Sequence, residues 1–210
     1  MRSLFFFDFP DYLFCLGVAA FGSLPLILWL KPRLTSIFIG VLFVATIAVL
    51  IEFFVQRYVD ILIFLLIAVP ATEESLKFVS TIKHRDPSSA YGSGIGFAIS
   101  ENFLYFLTFL GNPTLILLMI MRSISDPTLH SLTTRMDVGT WRKNRMGLAE
   151  GFLVHSSWNL FSILIIGLSM IHEIFFVIVG SSIMIIGLWY LKSGKDISFM
   201  SSSDPLLIQK

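Results

Sequence analysis

A single cysteine, Cys15, is present among 210 residues. That excludes an intrachain disulfide and a cysteine-based metal cluster, and leaves Cys15 as a small apolar residue. Charge is scarce as well: Asp, Glu, Lys and Arg make up 14% of the chain, against about 25% in soluble domains. With a net charge of +1 and no basic stripe to neutralise a phosphate backbone, the sequence argues against a nucleic-acid partner. It contains no internal repeat, no long linker and no His-Glu-x-x-His motif. What remains is apolar. Hydrophobic residues reach 55% and mean hydropathy is +0.83, which predicts an integral membrane protein embedded in a lipid bilayer.

About 20 mostly apolar residues cross a bilayer. On that measure the expected fold is all-α, a bundle of seven transmembrane helices near 12–30, 37–56, 60–82, 90–111, 113–134, 146–169 and 173–192. Breakers separate them at Lys31-Pro32-Arg33, Asp86-Pro87-Ser88-Ser89 and Gly111-Asn112-Pro113. Residues 1–192 read as one transmembrane catalytic domain and 193–210 as a polar, flexible cytoplasmic tail. The start, Met1-Arg2-Ser3-Leu4-Phe5-Phe6-Phe7, hints at a signal peptide, but Asp8, Pro10 and Asp11 break the apolar run before any cleavage site, so it reads as an interfacial lead-in. Lys31, Arg33, Lys83, Arg85, Arg135, Arg142, Lys143, Arg145, Lys192, Lys195 and Lys210 fall on one side of the seven spans, and only Arg2 and Arg57 on the other. The positive-inside rule then puts the N-terminus outside and the C-terminus in the cytoplasm of a multi-pass protein of the cell membrane.

Against this background the ionisable residues stand out. A charge at membrane depth costs about 2.5–3.5 kcal/mol on insertion scales, so it faces a cavity or a partner and marks function. Glu73, Glu74 and Lys77 lie together on the third span, with Lys77 one turn from either carboxylate. Glu73 is ten residues before Lys83, about 15 Å from the cytoplasmic edge, and His155 lies ten residues after Arg145. Glu101 reaches a similar depth on the fourth span, flanked by Asn102 and Tyr105, and His130 sits shallower on the fifth. His155 and Asn159 are spaced to point into one space, as are Arg122 and Asp126, the latter pair read as structural. Glu150 reads as a helix-end charge near Arg145, and His172 and His84 as loop residues. Gly92, Gly94 and Gly96 follow no strand, so they read as sites of close helix contact, as do Gly147 and Gly151.

A carboxylate in a water-poor cavity is suited to take a proton from water, so either Glu73 or Glu74 can be a general base. Amide hydrolysis also needs donors aimed at the developing oxyanion, and His155 with Asn159 have that chemistry. The alternatives are metal-assisted hydrolysis with His130, His155 and a carboxylate on zinc, an ion-coupled transporter or proton channel, and an inert scaffold. No cofactor is expected in the leading reading.

At these residues the chain resembles the PrsW family of intramembrane peptidases, within the superfamily that includes the CAAX-protein endopeptidases. Glu73-Glu74-Ser75-Leu76-Lys77 is similar to its Glu-Glu-x-x-Lys signature, and Phe97-Ala98-Ile99-Ser100-Glu101 with Asn102 to its Phe-x-x-x-Glu-Asn element. His130 and His155-Ser156-Ser157-Trp158-Asn159 resemble its later histidine motifs. The resemblance implies a glutamate-type protease with Glu73 as base and His155 and Asn159 as oxyanion donors. Glu101 stands where the CAAX branch has a histidine, so the group that helps hold the water is Glu101 or His130. It further implies a membrane-protein substrate, single-pass like the membrane-bound anti-sigma factors, and a site reached from the cytoplasmic half.

Overall fold

A computed structural model describes residues 9–82, 86–110, 116–144, 147–165 and 170–193, which form seven helices and no strand. They are α1 (Phe9–Leu30), α2 (Leu34–Val55), α3 (61–81), α4 (Pro87–Phe109), α5 (Ile116–Asn144), α6 (Gly147–Ile165) and α7 (Met170–Lys192). The all-α expectation holds, and the helix bounds fall close to the expected ones with one exception. The fifth helix runs ten residues beyond 134, to Asn144, which brings His130 to mid-helix instead of near an end. The lead-in before residue 9, the Gly111-Asn112-Pro113 breaker, His84 and the tail beyond 193 lie outside the described residues, as does the His172 side chain.

Helix starts follow from short polar side chains. Asp60 accepts from the Leu62 amide at 2.9 Å to open α3, and Asp86 accepts from the Ser89 amide at 2.9 Å ahead of Pro87 to open α4. The turn between α1 and α2 uses Lys31 in the left-handed region (φ 50°). Ser88 pins that turn to the start of α4: its Oγ donates to Lys31 O at 2.9 Å, and its carbonyl accepts from Arg33 N at 3.0 Å.

Two of the helices contain a wider, π-type turn, at Gly40–Val44 in α2 and Phe64–Ala68 in α3. Such a turn holds one residue more than an α turn and leaves a carbonyl without its amide. In α2 the Ala45 amide reaches back to Gly40 O, and the Val41 carbonyl accepts from Ser100 Oγ of α4 at 3.1 Å. In α3 the Val69 amide reaches back to Phe64 O; Pro70, next in line, has no N–H to offer Leu65 O. Asn159 Nδ2 of α6 donates to that carbonyl instead, at 2.9 Å.

The glycines of α4 let it lie against two neighbours at once. A Cβ at Gly92 would fall 2.7 Å from Arg33 O, one at Gly96 would overlap Ile37 O, and one at Gly94 would overlap His130 O on α5. Close helix contact was the expected role. An apolar core then forms among α1, α4, α5 and α7, with Cys15, Ile95, Phe106, Met119 and Leu188 at its centre. A smaller cluster joins Val44, Ala45 and Ala48 of α2 to Phe97 of α4.

The remaining space, between α3, α4, α5 and α6, is polar. Glu73, Glu74, Lys77, Asn102, Asp126, His130, Asp137 and His155 are buried, whereas Phe14, Phe21, Leu28, Phe38, Leu50, Phe54, Ile67, Ile183 and Trp189 are exposed. A soluble domain has the opposite distribution. By length and composition, α1 and α2 are long and apolar enough to cross a membrane. The helices that carry the buried polar groups are less apolar because those groups are turned inward.

Candidate active site

Lys77 organises the buried cluster. Its Nζ donates to Glu74 Oε1 at 2.6 Å, to His130 Nδ1 at 2.8 Å and to Thr133 Oγ1 at 3.4 Å, which engages all three ammonium protons. Because an ammonium only donates, His130 Nδ1 is the bare acceptor of its ring. The His130 proton is therefore on Nε2, which donates to Glu101 Oε2 at 2.8 Å. His155 is oriented the other way: Nδ1 lies 2.6 Å from Glu74 Oε1 and donates to it, which turns Nε2 toward Glu73. The two imidazoles meet edge to face, with centroids 5.1 Å apart.

Glu73 and Glu74 are thus adjacent in sequence and different in circumstance. Glu74 Oε1 accepts two hydrogen bonds from cationic or polarised donors. Glu73 Oε2 is buried with no hydrogen-bond partner, 3.7 Å from His155 Nε2 and 3.9 Å from His130 Nδ1. Those separations exceed a direct hydrogen bond and leave three polar atoms converging on one space.

On the other side of His130 the chain of contacts continues. Arg122 Nη2 donates to Glu101 Oε1 at 2.7 Å, and Arg122 Nε donates to Asn102 Oδ1 at 3.1 Å. The Asp126 carboxylate is an ion-pair partner of the same Nε at 2.7 Å, the N–H itself being directed to Asn102. Tyr105 stacks beneath the guanidinium, 3.9 Å from ring centroid to Cζ. An unbroken series of contacts therefore runs Arg122, Glu101, His130, Lys77, Glu74, His155 across four helices.

The structure brings together Glu73, Glu74, Lys77, Glu101, Asn102, Arg122, Asp126, His130 and His155, all named from the sequence. Three expectations change. Asn159 makes no hydrogen bond to the cluster alongside His155; its Nδ2 donates to Leu65 O, because Pro70 leaves that carbonyl without a backbone donor. His155 Nδ1–H is engaged by Glu74, so His155 and Asn159 do not form a ready pair of oxyanion donors in this arrangement. Glu150 stands at a helix end as expected, in the first turn of α6, but it is buried, and Arg145 lies outside the described residues. Exposure within the network is at the Glu101 and Arg122 side chains (20% and 27%), near the α4–α5 connection. Those of Glu74 and Lys77, nearer the turns expected to be cytoplasmic, are fully enclosed.

Two carboxyls escaped sequence reasoning. Glu52 interrupts the apolar second half of α2; its Oε1 is buried without a partner, and it lies close enough to Glu101 and Glu73 to interact electrostatically. Its signal was legible, a lone acid between Ile51 and Phe53. Asp137 is fully buried, close enough to Glu74 and Lys77 to interact electrostatically, and lies beyond 134, where apolar content alone ends the fifth span.

Glu73, Glu74, His130 and His155 each place one ligand-type atom within 4.8 Å of the others, all buried, a set able to hold a divalent ion. The Lys77 ammonium already bonds two of the four, Glu74 and His130. No family model, curated protein or solved structure matches the chain.

Proposed function

We propose that this chain is a seven-span intramembrane peptidase of the glutamate type. The observation that carries the reading is the buried Glu73 Oε2, without a partner and facing two imidazoles whose outer nitrogens are engaged by Glu74 and Glu101. The apolar exterior around this polar interior supports the membrane placement, since lipid reverses the usual sorting of side chains. The motif resemblance to the PrsW family agrees with the same residues.

In this mechanism a water between Glu73 Oε2 and His155 Nε2 is held by both. Glu73 takes its proton as the oxygen attacks the scissile carbonyl, then delivers that proton to the leaving amine, so the carboxylate is regenerated with each turnover. Glu74 acts on His155 as the carboxylate of a triad acts on its histidine, fixing tautomer and ring orientation. Entry of a substrate helix requires its local unwinding, because helical carbonyls are hidden from attack. A transmembrane segment of a single-pass protein is the substrate class, as the resemblance implies.

The test is quantitative membrane proteomics of cells carrying the unmodified chain or Glu73→Gln. We expect one membrane protein to accumulate uncut in the variant, with its fragment lost, and cleavage to fall about 100–10,000-fold. Unchanged cleavage by a folded Glu73→Gln protein would remove Glu73 from the role of base.

A second reading, zinc-assisted hydrolysis, is favoured by the convergence of Glu73, Glu74, His130 and His155. It requires Lys77 to withdraw from two of the ligands. Chelator treatment of the purified protein separates the two: cleavage persists under the glutamate mechanism, and cleavage that is lost and then restored by zinc establishes the metal one.

A further inference from the structure

One group of buried atoms without a hydrogen-bond partner is made of donors, and it lies on the far side of α5 from the carboxylate cluster. Tyr91 OH, Ser131 Oγ and Arg135 Nε are all sealed from solvent in this condition. Ser131 and Arg135 are one turn apart on α5. The antiparallel helices α4 and α5 cross where a Cβ at Gly94 would overlap His130 O and fall 2.8 Å from Ser131 N. Tyr91, one turn nearer the start of α4, therefore comes level with Arg135. It is close enough to Arg135 to interact electrostatically and too far for a hydrogen bond.

The guanidinium has a seat but no counter-charge. A Cβ at Gly139 would overlap Arg135 Nη1 and lie 3.2 Å from Cζ and 3.7 Å from Nη2, so the fork fills the space that a side chain at 139 would take. Among the described residues no carboxylate pairs with it. Asp137 is turned about 200° away around α5, where its Oδ1 lies against Gly151 of α6, and Asp86 is held by Ser89 and Arg33. Of the Arg135 nitrogens only Nε is sealed; Nη1 and Nη2 remain open to an outside partner.

The level of the group in the bundle selects that partner. Ser88 Oγ is bonded to Lys31 O in the turn expected to be cytoplasmic, and Tyr91 is one turn, about 5 Å, further in. Lys192 closes α7 at the same end, its Nζ donating to Trp29 O and lying 5.0 Å from the centre of the Trp29 ring. Tyr91, Met136, Leu30, Leu188 and Leu191 belong to one apolar cluster, so both cations stand where α1, α4, α5 and α7 come together. Basic pockets between spans at that depth meet the phosphates of lipid headgroups, and an indole suits the same interface. A guanidinium fork pairs with phosphate through two parallel N–H···O bonds.

We infer that Arg135 and Lys192 bind a phosphate group presented by an anionic lipid of the cytoplasmic leaflet, Arg135 supplying the fork and Lys192 a second charge. Neither the Tyr91 nor the Ser131 hydroxyl accepts from the guanidinium, which leaves the fork free for the lipid. A headgroup held there braces α5 beside the Gly94 crossing, next to His130. The site rests on the membrane placement proposed above and not on the peptidase chemistry.

The experiment titrates the purified chain in an uncharged detergent with phosphatidylglycerol or phosphatidylcholine and counts bound lipid by native mass spectrometry. The unmodified chain should retain one phosphatidylglycerol in preference to phosphatidylcholine. Lys192→Met should weaken that binding about fivefold, the worth of one cation at a membrane surface, and Arg135→Met should weaken it more. Gly139→Ala, a change that a helix accepts readily, should weaken it as well by displacing the fork. Equal affinity for the two lipids overturns the site, as does unchanged phosphatidylglycerol binding by a folded Arg135→Met chain. Should Arg135→Met fail to fold, Gly139→Ala and Lys192→Met decide in its place, and unchanged binding in both overturns the site. A further arm adds inorganic phosphate, which should not displace the lipid. Displacement that depends on Arg135 makes the ligand a soluble phosphate and overturns the lipid assignment. Glu73→Gln should bind the lipid as the unmodified chain does, so failure of the peptidase reading leaves the result standing. A chain that is monodisperse without any detergent removes the membrane placement, and the lipid site with it.

Discussion

The two ends of the buried network use the same kind of ion pair in different surroundings. At one end Lys77 and Glu74 meet with side chains wholly enclosed; at the other Arg122 and Glu101 meet with roughly a quarter of their side-chain surface open. The enclosed ammonium has each of its protons placed on a protein acceptor, whereas the guanidinium combines two carboxylates and an amide with the face of Tyr105. A compact ammonium suits a site with three fixed acceptors, and a flat guanidinium suits one that is half-walled by an aromatic ring. The difference teaches where the molecule can tolerate motion. The Lys77 end has no slack, and the Arg122 end can exchange a protein contact for an outside one.

Replacing Lys77 with Met is the strongest way to break this contrast. It strands Glu74 in a closed cavity, and should cost about 3–5 kcal/mol, read as a lowered unfolding midpoint in a fixed detergent. Arg122→Met removes a charge that is partly open, and should cost less, about 1.5–3 kcal/mol in the same measurement. Equal losses from the two variants would mean that enclosure does not separate the ends. Asn159→Ala sharpens the comparison from outside the network. It deprives Leu65 O of its donor and should cost about 1–3 kcal/mol, with the loss largest in hydrogen exchange along α3.

Much of this was legible in the sequence because a membrane reading makes polar residues rare and therefore informative. Glu73, Glu101, His130 and His155 were each anomalous in an apolar run, and helical spacing alone put Lys77 within reach of Glu74. Spacing could not say which of two neighbouring glutamates the lysine would take, since both lie one turn away. Nor could it say where Asn159 would point. That depends on a π turn in a different helix and on Pro70 failing to supply an amide, a circumstance with no local trace around residue 159. Asp137 is hidden from a hydropathy reading: apolar content ends the fifth span near 134, while the helix continues to Asn144 with Met136, Asp137 and Val138 buried. For the same reason only α1 and α2 among the described helices pass as membrane-crossing by length and apolar content.

The wide turn at Phe64–Ala68 also sets an angle. An α-helix advances about 100° per residue, so one extra residue in a turn rotates everything after it by that amount relative to everything before. The exposed apolar residues Ile61, Leu62 and Ile63 precede the turn, and Glu73, Glu74 and Lys77 follow it. Take the extra residue away and the first turn of α3 keeps its place while the acidic pair swings about a quarter of a revolution out of the cluster. Asn159 and Pro70, by stabilising the turn from either side, act as an indexing pin for the azimuth of Glu73.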